Sequence, residues 1–139
     1  FVNCFIFSAV DVWSAICYTA DMKKEMYPKL TIRLFTDQKC FGPGVAMLMH
    51  RVEEHRSLRS AAMSMEMAYS KAWAMMRNAE AGFGFKLLHS TTGGRGGGGA
   101  ELTEEGRALL AAYDAYTAAL DRQAKELFAQ HFAAFLGNR

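Results

Sequence analysis

Eight side chains between Ser57 and Arg95 have the types to engage a ligand. They are Ser57, Arg59 and Ser60, then Tyr69, Ser70, Lys71 and Arg77, and finally Arg95 inside a glycine run at residues 93–99. Lysine and arginine carry donors for guanine edges or phosphates, serine hydroxyls reach either, and a tyrosine hydroxyl reaches a phosphate. That is the chemistry of holding a polyanion rather than of making bonds. The histidines (His50, His55, His89, His131) and the cysteines (Cys4, Cys17, Cys40) include no pair at ligand spacing, so no metal site is expected. No Ser-His-Asp or Cys-His arrangement has local support. The glycine run is not a nucleotide loop either. Arg95 is followed by glycines and a strand, where such a loop needs Gly-Lys-Ser/Thr opening a helix. Neither catalysis nor a cofactor is expected.

The elements that would position these residues follow from periodicity. Leu30, Ile32, Leu34 and Thr36 alternate as in a strand, and Lys39 to Gly44 reads as a turn from its Gly and Pro. Val45, Leu48, Met49 and Val52 recur at helical spacing as far as His55. Ser57 is an N-cap for a short second helix, Leu58 to Ser64. A third helical pattern runs from Met65 to the stop at Gly82 and Gly84, with Tyr69, Ala72, Trp73 and Met76 expected toward the core. Ser70, Lys71, Ala74, Arg77 and Asn78 would then point outward. Residues 85–92 and 100–103 read as two strands of a hairpin around the glycine run. Thr103 with Glu104 and Glu105 starts a final long helix, since hydroxyl and acidic groups suit a helix N-terminus. Along it Leu109, Tyr113, Tyr116, Leu120, Ala124, Leu127 and His131 form a near-heptad seam, widened by Phe128, Phe132 and Phe135. The expected fold is mainly α with a small β hairpin: a winged helix-turn-helix plus a long C-terminal dimerisation helix.

The chain has 139 residues, of which 51% are apolar and 22% charged, enough for one domain with a real core. The net charge of +2 is mild but unevenly spread. Residues 29–95 hold ten Lys/Arg against five Asp/Glu, whereas residues 96–139 hold four against six. The total thus hides a basic face. An odd, scattered set of cysteines excludes a disulfide framework and fits a reducing, cytoplasmic compartment. Residues 1–26 are strongly apolar, but Asn3 and Asp11 interrupt the run and no basic segment precedes it. A membrane span and a secretory signal are therefore both disfavoured. A packed strand or helix, or a non-native extension, is expected there, with no function assigned. Residues 27–103 are expected to form the DNA-binding domain and 104–139 the dimerisation helix.

Residues 57–73 resemble a helix-turn-helix, with Ala61 and Ala62 small enough to let two helices cross and Met65, Met67 and Met75 holding the angle. From Gly42 to Leu110 the chain resembles the N-terminal DNA-binding domain of ModE-type regulators, relatives of the LysR-type winged helices. The resemblance is carried by Ser57-Leu-x-x-Ala-Ala62, Ala68-Tyr-x-x-Ala-Trp73 and the stretch TTGGRGGGGAELTEEGRALL at 91–110. Two positions depart from the family pattern. Glu66 stands where glycine is usual in the turn, and Ala68 where serine usually opens the recognition helix. A left-handed non-glycine costs roughly 1 kcal/mol, and a missing cap about as much. ModE proteins carry molybdate-binding modules after this domain; the chain reaches Arg139 directly after the long helix, so no oxyanion sensing and no small-molecule ligand are expected of it.

The resemblance implies a transcriptional regulator that binds double-stranded DNA as a homodimer. Lys71, Arg77 and Ser70 would face the major groove, with Tyr69 divided between core and phosphate. Ser57, Arg59 and Ser60 would flank a phosphate, although Ser57 is also simply a cap. Arg95 at a flexible wing tip suits minor-groove or backbone contact. Each has a plainer reading, a solvated helix face for the first set and a contact-free loop for the wing. Tyr116, Leu120, Leu127, Phe128 and Phe132 are the expected dimer contacts. Two alternatives stay open: a protein-interaction module on the same scaffold, or a molybdate-responsive regulator whose sensor is elsewhere.

Overall fold

The computed structural model describes residues 25–91 and 99–137. Most of the apolar N-terminal segment, and Arg95 with its glycine neighbours, lie outside them. The element order is β1 (Leu34–Phe35), β2 (Lys39–Phe41), α1 (Pro43–His55), α2 (Leu58–Ser64), α3 (Tyr69–Phe83), β3 (Leu88–Thr91), β4 (Gly99–Leu102) and α4 (Glu104–Leu136). Over the described residues the fold is mainly helical, with two small antiparallel hairpins and a long C-terminal helix. No helix among the described residues is long and apolar enough to cross a membrane.

Local chemistry explains most boundaries. Pro43 opens α1, where its missing N–H is no loss. The Ser57 hydroxyl accepts from the Ser60 amide at 3.3 Å and caps α2. Thr103 caps α4 by accepting from the Gly106 amide at 3.0 Å, and its hydroxyl also donates to the Lys86 carbonyl at 2.6 Å. Glycine is required at 106, because a Cβ there would lie 2.6 Å from the Leu87 carbonyl oxygen. The start of α4 is therefore seated on the segment entering β3. Gly84 ends α3 at φ 78°, with its amide donating to the Glu80 carbonyl.

The N-terminal strand is shorter than the alternation from Leu30 predicts. Only Leu34 and Phe35 pair, because their partner β2 is itself three residues long. Residues Lys39 to Phe41, expected as turn, are that partner, and the bend lies at residues 36–38. The reason is packing. Phe41 is fully buried and meets Phe83 and Tyr113 edge-on, at ring-centroid distances of 5.8 and 5.0 Å. Around it lie Leu48, Met49, Val52, Met76, Leu87 and Leu102, all at most 1% exposed. Tyr113 ties α4 to the chain before β1 by donating its hydroxyl to the Ile32 carbonyl at 2.7 Å. Burial, and then the neighbouring Asp114 carboxylate, push its phenol above the ordinary range, so it remains a donor at neutral pH.

In α4 the buried residues are Gly106, Leu110 and Tyr113. Beyond Tyr113 none is buried, although the apolar sequence continues. Phe128 and Phe132 stack at 4.6 Å along the helix, and Phe135 follows at 6.1 Å from Phe132.

Candidate nucleic-acid interface

Helices α2 and α3 meet through small residues. Ala61, Ala62 and Ala72 are fully buried, so the two backbones approach closely. The turn between them is held by the Met67 amide on the Ala62 carbonyl and the Glu66 amide on the Met63 carbonyl, both at 3.0 Å. Glu66 adopts φ 52°, the left-handed conformation that glycine would take without strain. The left-handed Glu66 and the extended Ala68 interrupt the helical run, so α3 starts at Tyr69 rather than at Met65, and Ala68 caps it with no side-chain hydrogen bond.

The orientation of α3 departs from expectation at two aromatic residues. Its buried residues are Ala72, Met76 and Ala79. Tyr69 and Trp73, expected in the core, are each 44% exposed. Alanines fill that side because the tight contact with α2 leaves no room for large rings, and the helix is rotated accordingly. Ser70, Lys71, Ala74, Arg77 and Asn78 are exposed as expected. Asn78 is nevertheless tied back, since its amide donates to the Lys39 carbonyl at 3.0 Å. Lys71 and Arg77 form no ion pair among the described residues. Arg59 instead lies over the Tyr69 ring, 5.0 Å from its centroid.

The wing is placed by polar ties to the helices. Its strands pair Leu88 with Leu102, His89 with Glu101, Ser90 with Ala100 and Thr91 with Gly99. The Ala100 amide donates to the Arg56 carbonyl at 3.1 Å, joining β4 to the turn between α1 and α2. Glu80 of α3 reaches the other strand. Its carboxylate accepts from Lys86 Nζ at 2.9 Å and from the Leu87 and Leu88 amides at 3.0 and 3.4 Å. Burial raises the affinity of this carboxyl for its proton, but Lys86 and the two amides outweigh it and hold it below the usual carboxylate range.

A shallow groove results between α2, α3 and the wing. It is lined by Ser57, Arg59, Ser60, Tyr69, Trp73, Lys86, His89 and Ser90, among others. It thus gathers the three expected residues of α2 with Tyr69, whereas Lys71 lies on the opposite flank of α3, beside Lys39. Lys86, His89 and Ser90 had no assigned role in the sequence, and Trp73 was expected only in the core. Lys86 and His89 were in principle legible, as basic residues entering a wing strand. Trp73 was not, because an aromatic at helical spacing reads as core. Among the described residues no three His, Cys, Asp or Glu side chains come together as a metal site.

A helix-turn-helix followed by an antiparallel hairpin and a long helix is an arrangement like that of the winged helix-turn-helix proteins. Residues 47–107 match the family model of bacterial regulatory helix-turn-helix proteins of the LysR family. The match spans α2, α3 and the wing, and it supports a LysR-type regulatory helix-turn-helix DNA-binding domain over this stretch. No curated protein sequence matches the chain.

Proposed function

We propose that the chain is a transcriptional regulator of the ModE type within the LysR-like winged helices, binding double-stranded DNA as a homodimer. The observation that carries this reading is the exposed side of α3. Ser70, Lys71 and Arg77 are exposed there, within the stretch matched to regulatory helix-turn-helix proteins. In this reading α3 enters the major groove with Lys71, Arg77 and Ser70 on base edges or phosphates, and Tyr69 reaches a phosphate. Ser57, Arg59 and Ser60 flank the backbone, and Arg95 at the wing tip reaches it from the next groove. Residues 27–103 serve as the DNA-binding domain and 104–139 as the dimerisation helix.

The dimer is supported by the exposed apolar stripe of α4. Tyr116, Leu127 and Phe132 are 52%, 51% and 44% exposed, and Leu120 and Phe128 are half-buried beside them. Such a stripe is rare on a monomer. Pairing with the same helix of a second copy covers it, and a two-fold axis sets two α3 helices about one DNA turn, or a multiple, apart.

Salt titration of DNA binding tests the reading. Affinity is expected to fall steeply with ionic strength, and each lost phosphate contact to flatten the slope of log K against log salt by about 0.9. The double variant Lys71→Ala, Arg95→Ala should show this flattening. Binding equal to that of the parent chain at every salt concentration would remove these two residues from the interface. Salt-independent capture of a protein partner without DNA binding would favour the interaction-module alternative.

A further inference from the structure

The buried side of α3 is made of small residues and a methionine, and its one tryptophan is left outside. Trp73 and Tyr69 sit one turn apart on the same flank, equally exposed. Their surroundings differ. The Tyr69 ring is covered by the Arg59 guanidinium, and its hydroxyl suits a polar partner. The Trp73 ring has no aromatic or cationic partner among the described residues. Ala74, the next residue, is also exposed, and Arg77 lies one turn further along. The first turns of α3 therefore present an apolar patch next to basic and hydroxylic groups.

A large apolar ring in water forgoes the free energy of burial, and in a DNA major groove there is one apolar feature on the base edges to bury it against. That feature is the C5-methyl group of thymine; the other major-groove edge groups are hydrogen-bond donors and acceptors, apart from the small C5–H of cytosine. We infer that Trp73 is a specificity-determining residue that reads a thymine methyl group in the bound DNA. The inference rests on the DNA-binding reading above and adds to it a base preference and the residue responsible. Deoxyribose offers the ring another apolar surface, but sugar packing carries no base preference, and the two are separable.

The test uses the full chain and a duplex that it enriches from a random-sequence pool. Uracil then replaces thymine one position at a time, which deletes the methyl group and leaves base pairing intact. At one or more positions the parent chain is expected to lose roughly three- to fivefold in affinity, the size of one buried methyl contact. Trp73→Ala should bind the thymine duplex more weakly by a similar factor and no longer distinguish it from the uracil duplex. Trp73→Phe keeps an apolar ring and should retain part of the discrimination. Indifference of the parent chain to uracil at every position overturns the inference. So does discrimination that survives in Trp73→Ala, or a uniform loss in that variant with discrimination intact, which is the pattern of sugar packing. A chain that enriches no duplex overturns the DNA-binding reading, and this inference falls with it; enrichment with indifference to uracil overturns the inference alone.

Discussion

Helices α3 and α4 each carry an apolar side, and the two sides meet opposite fates. In α3 the residues Ala72, Met76 and Ala79 are at most 1% exposed, enclosed by α1, α2 and β2. In α4 the corresponding enclosure stops at Tyr113, and Leu127 and Phe135 are 51% and 72% exposed. Periodicity defines a side of a helix in both cases. What covers that side depends on which elements reach it, and no described element of this chain reaches the far part of α4.

The largest effects should separate the two regions. Phe41→Ala removes a fully buried ring with two edge-on aromatic partners and is expected to cost about 3–5 kcal/mol of unfolding free energy in denaturant titrations, at any protein concentration. Replacing Leu127 and Phe128 by glutamate should instead leave the unfolding of the body within about 0.5 kcal/mol at high dilution. Its effect should appear in sedimentation, as conversion of dimer to monomer. Equal destabilisation by both changes in dilute protein would show that α4 is part of the same core, and the contrast would fail.

Glu80 sharpens the contrast on the polar side, since its carboxylate joins α3 to the wing through three accepted hydrogen bonds. Glu80→Gln is expected to cost on the order of 1–3 kcal/mol. The pH dependence follows from its lowered pKa. The folded carboxyl binds its proton less readily than the unfolded one, so the stabilisation is complete above the ordinary value of 4.5 and fades as pH falls below it, through the folded value. Melting temperatures followed down to about pH 3 should therefore drop further for the parent chain than for Glu80→Gln. Parallel curves would show that the carboxylate adds nothing.

The smallest effects lie in the turn before α3, and they are gains. Glu66→Gly relieves a left-handed glutamate at φ 52° and should add up to about 1 kcal/mol. Ala68→Ser supplies the missing cap in a backbone already extended there, for a further ~0.5–1 kcal/mol. Both are readable as increases in melting temperature. A loss in either variant would show that the turn is held by something other than local backbone preference.

Those same positions mark how far the chain could be read without coordinates. The bounds of α2, its Ser57 cap and the Thr103 cap on α4 were legible, because each depends on a few consecutive residues and their backbone chemistry, whereas the strained Glu66 and the uncapped Ala68 were expected only from the resemblance to ModE-type domains. The wing hairpin was also legible from the two strands that flank the glycine run, although they span Leu88–Thr91 and Gly99–Leu102 rather than residues 85–92 and 100–103, and their register comes from the structure. Of the candidate interface, Ser70, Lys71 and Arg77 were correctly expected on the outside. Trp73 and Tyr69 were not, and Glu80 had no signal at all, because its partners Lys86, Leu87 and Leu88 become neighbours only when the chain turns at Gly84.

Residue types and short spacings determined by themselves the bounds of α2, the end of α3 at Gly84 and the start of α4, which loop is glycine-rich and where basic charge collects, since these are local or additive properties. Tertiary structure decided the rotation of α3, the use of Lys39 to Phe41 as a strand, and the point along α4 where burial stops. Each of these turns on how much space a distant segment leaves. Alanines occupy the α2–α3 contact because two backbones approach there, so the larger Trp73 ring is turned out to the surface where α3 would meet a partner.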